Sequence, residues 1–348
     1  MNRLVQTSAL ASARVIDLHA HVVIAETMGA AGEFGPFIGQ YPDGMPFFQV
    51  GANYRLDGVR YVGSPFMDME LRLRRMTEQG IDFQVLSPNP LTYFHFIPEA
   101  DAIRYCRVHN DALAAIVRRH PQRLAAFAAV PLQAPQAAAE ELRRAVTELG
   151  LVGAAFGTDT RLALDAPALD VLYDEAVQLD VPLSIHPGPA GIDGPAGDPA
   201  LKRFDLDIIA GFAAQETLAV ATLIYGGVLD RHPKLDILFS HGGGATALLM
   251  GRMAKGARKR PWSSAALRPD GAFEEHLQRL WFDTHVDHPL VLSLLSAAVG
   301  REHLVYGTNF AGWDEPDAPA PGAPGAGASP IAPDLADNAR RLLRFAGG

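Results

Sequence analysis

Eight short runs of apolar and β-branched residues recur along the chain: "RVIDL" (14–18), "DFQVLS" (82–87), "RLAAFAAV" (123–130), "VGAAFG" (152–157), "VPLSIH" (181–186), "DILFSH" (236–241), "LWFDT" (280–284) and "LVYGTN" (304–309). Between them lie segments whose apolar positions return every third or fourth residue, at 68–80, 99–119, 134–149, 167–179, 213–231, 244–259 and 288–299, with a last one at 333–346. Strand and helix in alternation predict parallel strands joined by crossover helices. Eight such units are the count of a (β/α)8 TIM barrel. A doubly wound open sheet shares the alternation, and counting alone does not separate the two.

Two segments break the repeat. Residues 22–66 interrupt the first unit with a stretch rich in Gly, Pro and aromatic residues, read as a small insertion over the barrel mouth. Its Phe34, Phe37, Tyr41, Phe47, Phe48 and Tyr54 either wall a substrate site or form the insertion's own core. Residues 315–333, "EPDAPAPGAPGAGASPIAP", are too low in complexity to pack a core and read as a mobile loop. A single helix follows, too little for a second domain, so residues 1–348 read as one domain.

Composition narrows the function classes. The 348 residues are 48% hydrophobic and 20% charged, which is ordinary for a globular protein. A formal charge of −9 leaves no basic excess for phosphates, and "KGARKRP" (255–261) is short and isolated, so nucleic acid is not an expected partner. Cys106 is the single cysteine and cannot form an internal disulfide. No apolar run reaches the roughly 20 residues that span a bilayer. The start "MNRLVQTSALASARV" lacks an apolar secretory core, and the expectation is a soluble cytoplasmic protein without membrane contact.

The chemistry collects at strand ends. "DLHAHVV" places His19 and His21 two apart, which in an extended chain turns both imidazoles to one side. Such a pair is either two metal ligands or two satisfied polar residues. The fifth strand ends on His186 in "LSIHPGP" and the sixth on His241 in "LFSHGGG". Four histidines at the C-terminal ends of parallel strands lie where reacting groups of a barrel converge, and neutral imidazole suits zinc and related ions. The triple glycine after His241 either admits a ligand close to the backbone or is a plain turn.

"VIDLHAHVV", "MDMELRLRRMTEQGIDFQVLS", "AVPLQAP", "LSIHPG", "YGGVLDRHPKLDILFSHGGG", "FDTHVDHP" and "VYGTNF", in this order and spacing, resemble the amidohydrolase superfamily. The likeness is to its branch around aminocarboxymuconate semialdehyde decarboxylase and related aromatic-acid decarboxylases, and it covers residues 14–310 plus "ADNARRLL". It implies one divalent metal, zinc first and manganese second, on His19, His21 and His186, with His241 as general acid/base. It also implies Arg60 as a binder of the substrate carboxylate and Arg260 as a second one donated from a neighbouring subunit, hence a homodimer. Glu216 resembles a family glutamate near the site, with a helix-surface role as the alternative.

The chain departs from the pattern at one place. Family members read "GTD" where this chain reads "GTN", so Asn309 stands where an aspartate ligates the metal or takes the water proton. An amide can offer its carbonyl oxygen but carries no charge and is no base, so Asn309 is expected at the metal and in the catalytic set in a weaker form than the aspartate. Asp314 and Asp283 are the nearby carboxylates in sequence. Hydrolysis suffers most from the exchange, whereas nonoxidative decarboxylation of an aromatic or muconate-type acid can rest its proton transfers on His241. A hydrolase or hydratase on the same scaffold is the rival reading, and a metal-free binding protein is the reading from another class.

Overall fold

The computed structural model describes residues 8–51, 54–286, 288–316 and 332–345. Of the expected loop at 315–333, residues 317–331 lie outside the described residues. Twelve strands are described: β1 (Ile16–Val22), β2 (Phe37–Gln40), β3 (Pro46–Val50), β4 (Tyr54–Asp57), β5 (Phe83–Pro88), β6 (Leu124–Ala126), β7 (Ala128–Ala129), β8 (Ala154–Gly157), β9 (Leu183–His186), β10 (Ile237–Phe239), β11 (Trp281–Asp283) and β12 (Leu304–Val305).

Nine of these run parallel in two sheets, β1-β5-β6 and β7-β8-β9-β10-β11-β12. At one junction β6 and β7 are a single extended run broken only at Phe127, whose N–H donates to the Leu86 carbonyl at 2.9 Å. At the other, a parallel bridge joins Asp17 to Tyr306, and the Leu18 N–H donates to the Tyr306 carbonyl at 2.9 Å. The eight expected strands therefore follow one another round a ring, as in a distorted TIM barrel. The register slips within β1 between Asp17 and Ala20, beside the two histidines.

The crossover helices fall where the apolar period places them, including Met69–Glu78, Glu99–Arg119, Pro135–Thr147 and Thr246–Lys259. The expected helix at 213–231 is two, Gly211–Tyr225 and Val228–Arg231, because the chain turns at Gly226 and Gly227, the latter with φ of 69°. Short helices at Pro199–Asp205 and Ala272–Leu277 have no counterpart in the expected set. The last strand is shorter than "LVYGTN" suggests, since Thr308 turns away to bond Asp17 and Asn309 adopts a φ of 48°.

Strand alternation separates polar from apolar along β1: Ile16, Leu18, Ala20 and Val22 enter apolar clusters, whereas Asp17, His19 and His21 carry the polar atoms of the site. Between β1 and the first crossover helix, β2, β3 and β4 form a small antiparallel sheet. Its Phe48 and Val50 are buried with Val23, Tyr61, Leu91, Phe94, Ile97 and Tyr105, which ties the segment to the chain that follows β5. Phe37 is exposed, and Tyr41 packs on Phe47.

Candidate metal centre

The ligand atoms of His19 and His21, from the middle and the C-terminal half of β1, and of His186, at the end of β9, lie within 4.8 Å of one another, and all three residues are buried. Each ring is held from behind through Nδ1. His19 Nδ1 meets Asp283 Oδ2 at 2.8 Å, His21 Nδ1 meets the Pro88 carbonyl at 3.2 Å and Ser87 Oγ at 3.0 Å, and His186 Nδ1 meets the Pro187 carbonyl at 2.6 Å. A carbonyl or carboxylate oxygen only accepts, so Nδ1 is the protonated nitrogen and Nε2 presents its lone pair.

Those lone pairs converge. His21 Nε2 and His186 Nε2 face each other at 3.1 Å, and His19 Nε2 is buried without a hydrogen-bond partner. Two bare acceptors at that distance repel, and a divalent cation is the group that makes the arrangement favourable. Burial, reinforced by the neighbouring imidazoles, pushes His19 and His186 well below the usual histidine range, and burial takes His21 to about 3. Three neutral imidazoles backed by oxygen acceptors are a fitting donor set for a zinc- or manganese-type ion.

His241 stands beside this triad, its ring centroid 4.9 Å from those of both His19 and His186. Its Nδ1 donates to Glu216 Oε1 at 3.0 Å, and that same oxygen accepts a short bond from the Ser240 hydroxyl. Glu216 is wholly buried, so it occupies the inner face of its helix and not the surface. Burial lowers the His241 pKa, but the charge and hydrogen bond of Glu216, with Asp283 and Asp314 beyond, outweigh it and raise the group to about 9. His241 thus keeps a proton while Nε2 remains free of Glu216.

The glycines after His241 serve packing. Gly242, Gly243 and Gly244 all have positive φ, and a Cβ on Gly244 would lie 2.1 Å from the Ala213 carbonyl oxygen, one on Gly243 2.5 Å from Phe282. Their close neighbours are protein atoms of the adjoining helix and strand.

Two further residues complete the centre: His285, which is absent from the expected set, and Asp314, expected there only as a nearby carboxylate. His285, two beyond the end of β11, sits with its ring 5.4 Å from that of His19 and 5.5 Å from that of His241. Asp314 takes its Oδ2 to His285 Nε2 at 3.1 Å, and ligand atoms of His241, His285 and Asp314 lie within 4.8 Å of one another. Burial would raise Asp314, but the bonds from His285 and Asn309 hold it below the usual carboxylate range. Asn309 itself donates Nδ2 to Asp314 Oδ1 at 2.6 Å. Asp283 is a hub: Oδ2 takes His19, and Oδ1 accepts the backbone N–H groups of Gly242 and His285 at 3.2 and 3.0 Å.

Behind β1, buried Asp17 accepts from Gln84, from the backbone of His19 and from both the N–H and hydroxyl of Thr308. Buried Arg72 donates to Gln84, to the Pro65 carbonyl and to the His21 carbonyl. The histidine strand is thereby fixed to β5 and to the turn that carries Asn309. Arg60 and Arg260 are both exposed, the latter at the end of the helix that starts after the glycines.

The amidohydrolase family profile matches residues 16–345. This chain belongs to that family. Among curated relatives, a 2-amino-3-carboxymuconate-6-semialdehyde decarboxylase of Dictyostelium discoideum is 28% identical over 298 residues, 85% of this chain and 81% of that protein. A gamma-resorcylate decarboxylase of Rhodococcus jostii is 35% identical over 249 residues, 67% of this chain and 69% of that protein. Among solved structures, a dihydroxybenzoic acid decarboxylase from Polaromonas, with bound manganese and the inhibitor 2-nitroresorcinol, superposes with a TM-score of 0.71 at 21% identity, covering 96% of this chain and 98% of that one. That amidohydrolase-family likeness at low identity concerns the fold, and it agrees with the ring of eight strands described above.

Proposed function

We propose that this amidohydrolase-family chain is a metal-dependent nonoxidative decarboxylase, a carboxy-lyase acting on an aromatic or muconate-type carboxylic acid. The observation that carries the reading is the convergence of three Nε2 lone pairs next to a histidine whose proton is held by a buried carboxylate. His19, His21 and His186 would hold the ion, with zinc or manganese both compatible with nitrogen donors. Once bound, it supplies a positive charge that orients the substrate and draws electron density from the carbon losing its carboxylate.

The protein's own groups do the rest. Arg60 is read as the partner of the substrate carboxylate and orients it. As the carbon–carboxylate bond breaks, its electron pair stays on the substrate carbon and CO2 departs. His241 delivers its proton from Nε2 to that carbon, and Glu216 stabilises the charged imidazole before the transfer. Decarboxylase names among the curated relatives support this reaction over hydrolysis.

The assembly we read is a homodimer. Helices Gly211–Tyr225, Thr246–Lys259 and Pro289–Val299 pack side by side and expose Leu218, Leu248, Leu249, Leu290, Val291 and Leu294, with Trp262 and Arg260 just beyond the middle helix. Apolar side chains on neighbouring helices suit a second copy of the chain, and in this reading the exposed Arg260 serves the partner's site. Residues 1–348 act in this reading as one unit, the segment 22–66 covering the barrel mouth through its packing on Leu91, Phe94 and Ile97. Among the described residues no single helix is long and apolar enough to cross a membrane, and the lone buried Cys106 suits a cytoplasmic setting.

The test is product analysis. Protein reconstituted with manganese or zinc is offered dihydroxybenzoates and aminocarboxymuconate semialdehyde. Release of CO2 with one solvent deuterium incorporated at the vacated carbon is expected. Uptake of labelled solvent oxygen without CO2 would replace the reading by hydration or hydrolysis. Full turnover by His241→Ala would remove that residue from the proton step.

A further inference from the structure

We propose that Asp314 is the anionic group of the metal centre, and that Asn309 is an amide because it holds Asp314 in place. The inference rests on the metal reading above and adds to it the charge that the three histidines lack. Three neutral imidazoles leave a divalent ion with its full charge. Of the carboxylates around the site, Asp17 is taken up by Gln84, His19 and Thr308, Glu216 is bound to His241 and Ser240, and Asp283 is shared among His19, Gly242 and His285. Asp314 alone comes from a loop, beyond the last strand, and it lies at metal-ligand spacing with His241 and His285, whose rings stand 4.9 and 5.4 Å from that of His19 in the triad.

Its placement is specific. Oδ1 accepts from Asn309 Nδ2 at 2.6 Å and Oδ2 meets His285 Nε2 at 3.1 Å, so both oxygens are fixed by side chains that also border the centre. The backbone yields to the same contact: a Cβ on Gly312 would lie 2.6 Å from Asn309 Nδ2, and Asn309 adopts a φ of 48° that asparagine tolerates better than most residues. An aspartate at 309 would bring a second carboxylate oxygen to the distance now spanned by an N–H donor. Two carboxylates that close do not both ionise without a cation between them. Asn309 and Asp314 are therefore complementary, and the amide at 309 is a donor matched to a carboxylate five residues on.

The experiment measures zinc and manganese affinity of the full chain by competition with a chromophoric chelator, alongside the melting temperature of each metal-free variant. Asp314→Asn is nearly isosteric and is expected to weaken binding roughly 10–100-fold, the range typical of lost supporting groups at metal sites. The exchange Asn309→Asp with Asp314→Asn restores one donor and one carboxylate, and should recover most of that affinity. Asn309→Asp alone should melt lower than the unaltered protein when metal-free. Unaltered protein that binds metal, with Asp314→Asn binding equally well, would overturn the assignment of Asp314 and leave the three-histidine site standing. Unaltered protein that takes up neither metal would overturn the reading of the centre and this inference with it.

Discussion

Glu216 Oε1 accepts the Nδ1 proton of His241 at 3.0 Å from a position with no solvent exposure. The pair fixes both the tautomer and the charge of the histidine, since a buried carboxylate gains more from an adjacent imidazolium than from a neutral ring. Glu216→Gln keeps the acceptor oxygen and the volume but removes the charge. We expect kcat to fall by roughly 10²-fold, the low end of what general acid–base catalysis contributes, with KM and metal content nearly unchanged. Steady-state kinetics with elemental analysis checks this. A fall in metal content equal to the fall in kcat would mean that Glu216 serves the metal site instead.

The backbone at Gly244 packs directly against the main chain of Ala213. A Cβ there would meet the Ala213 carbonyl oxygen at 2.1 Å, and φ is 65°. Gly244→Ala therefore combines backbone strain with a clash against main-chain atoms that cannot rotate away. We expect a loss of about 3 kcal/mol or more in a urea titration. Gly251→Ala, where a Cβ would meet nothing within 4 Å, is the control and should be neutral or slightly stabilising.

The strands and crossover helices were readable because burial on both faces writes continuous apolar runs and helices write a 3.6-residue period. His19, His21, His186 and His241 were readable because each closes such a run. His285 was not, and Asp314 was readable only as a nearby carboxylate: both follow a strand end in polar sequence, and their pairing joins positions 29 residues apart that no local period links. The signal for His285 was present in "FDTHVDHP" as a fifth histidine just past a strand. Glu216 was ambiguous for another reason. "AQETLAVA" is apolar nearly all round, so its pattern does not say which face is buried. Asn309 could be recognised as a departure, but its meaning needed Asp314 in space.

Arg72 is fully buried and donates to Gln84, Pro65 and His21, with the charge of Asp17 nearby. Arg72→Met replaces it by a side chain of similar length, leaves the Pro65, His21 and Gln84 oxygens without their donor, and removes a positive charge near Asp17. Buried acceptors left without a donor in this way cost about 1–3 kcal/mol each. The pH dependence has a definite sign. Burial already lifts Asp17 to about 6 from 3.8, so folding favours its protonated form and this group's contribution to stability declines as pH rises through that window. Without Arg72 the folded value rises further. The variant's deficit in urea midpoint should therefore be larger at pH 8 than at pH 5; an equal deficit at both would show that the charge of Arg72 does not act on Asp17.

His109 lies on the inner face of the helix Glu99–Arg119, is 1% exposed, and has both ring nitrogens buried, with Asn110 beside it as the one group that favours its charged form. Burial lowers it from 6.5 to about 4. A histidine whose folded value is depressed is neutral in the fold at pH values where the unfolded chain already takes a proton. Its contribution is intact above pH 6.5 and declines as pH falls toward 4, at up to about 1.4 kcal/mol per pH unit. Buried carboxylates such as Asp17 work with the opposite sign over part of that range, so the total slope mixes several groups. The difference between the protein and His109→Gln isolates one. The variant should be less stable at pH 7.5, where the packed ring is lost, yet lose stability less steeply between pH 6.5 and 4.5, by up to one proton taken up on unfolding. Urea midpoints across that range measure it, and identical slopes would mean that His109 is protonated in the fold as readily as in the unfolded chain.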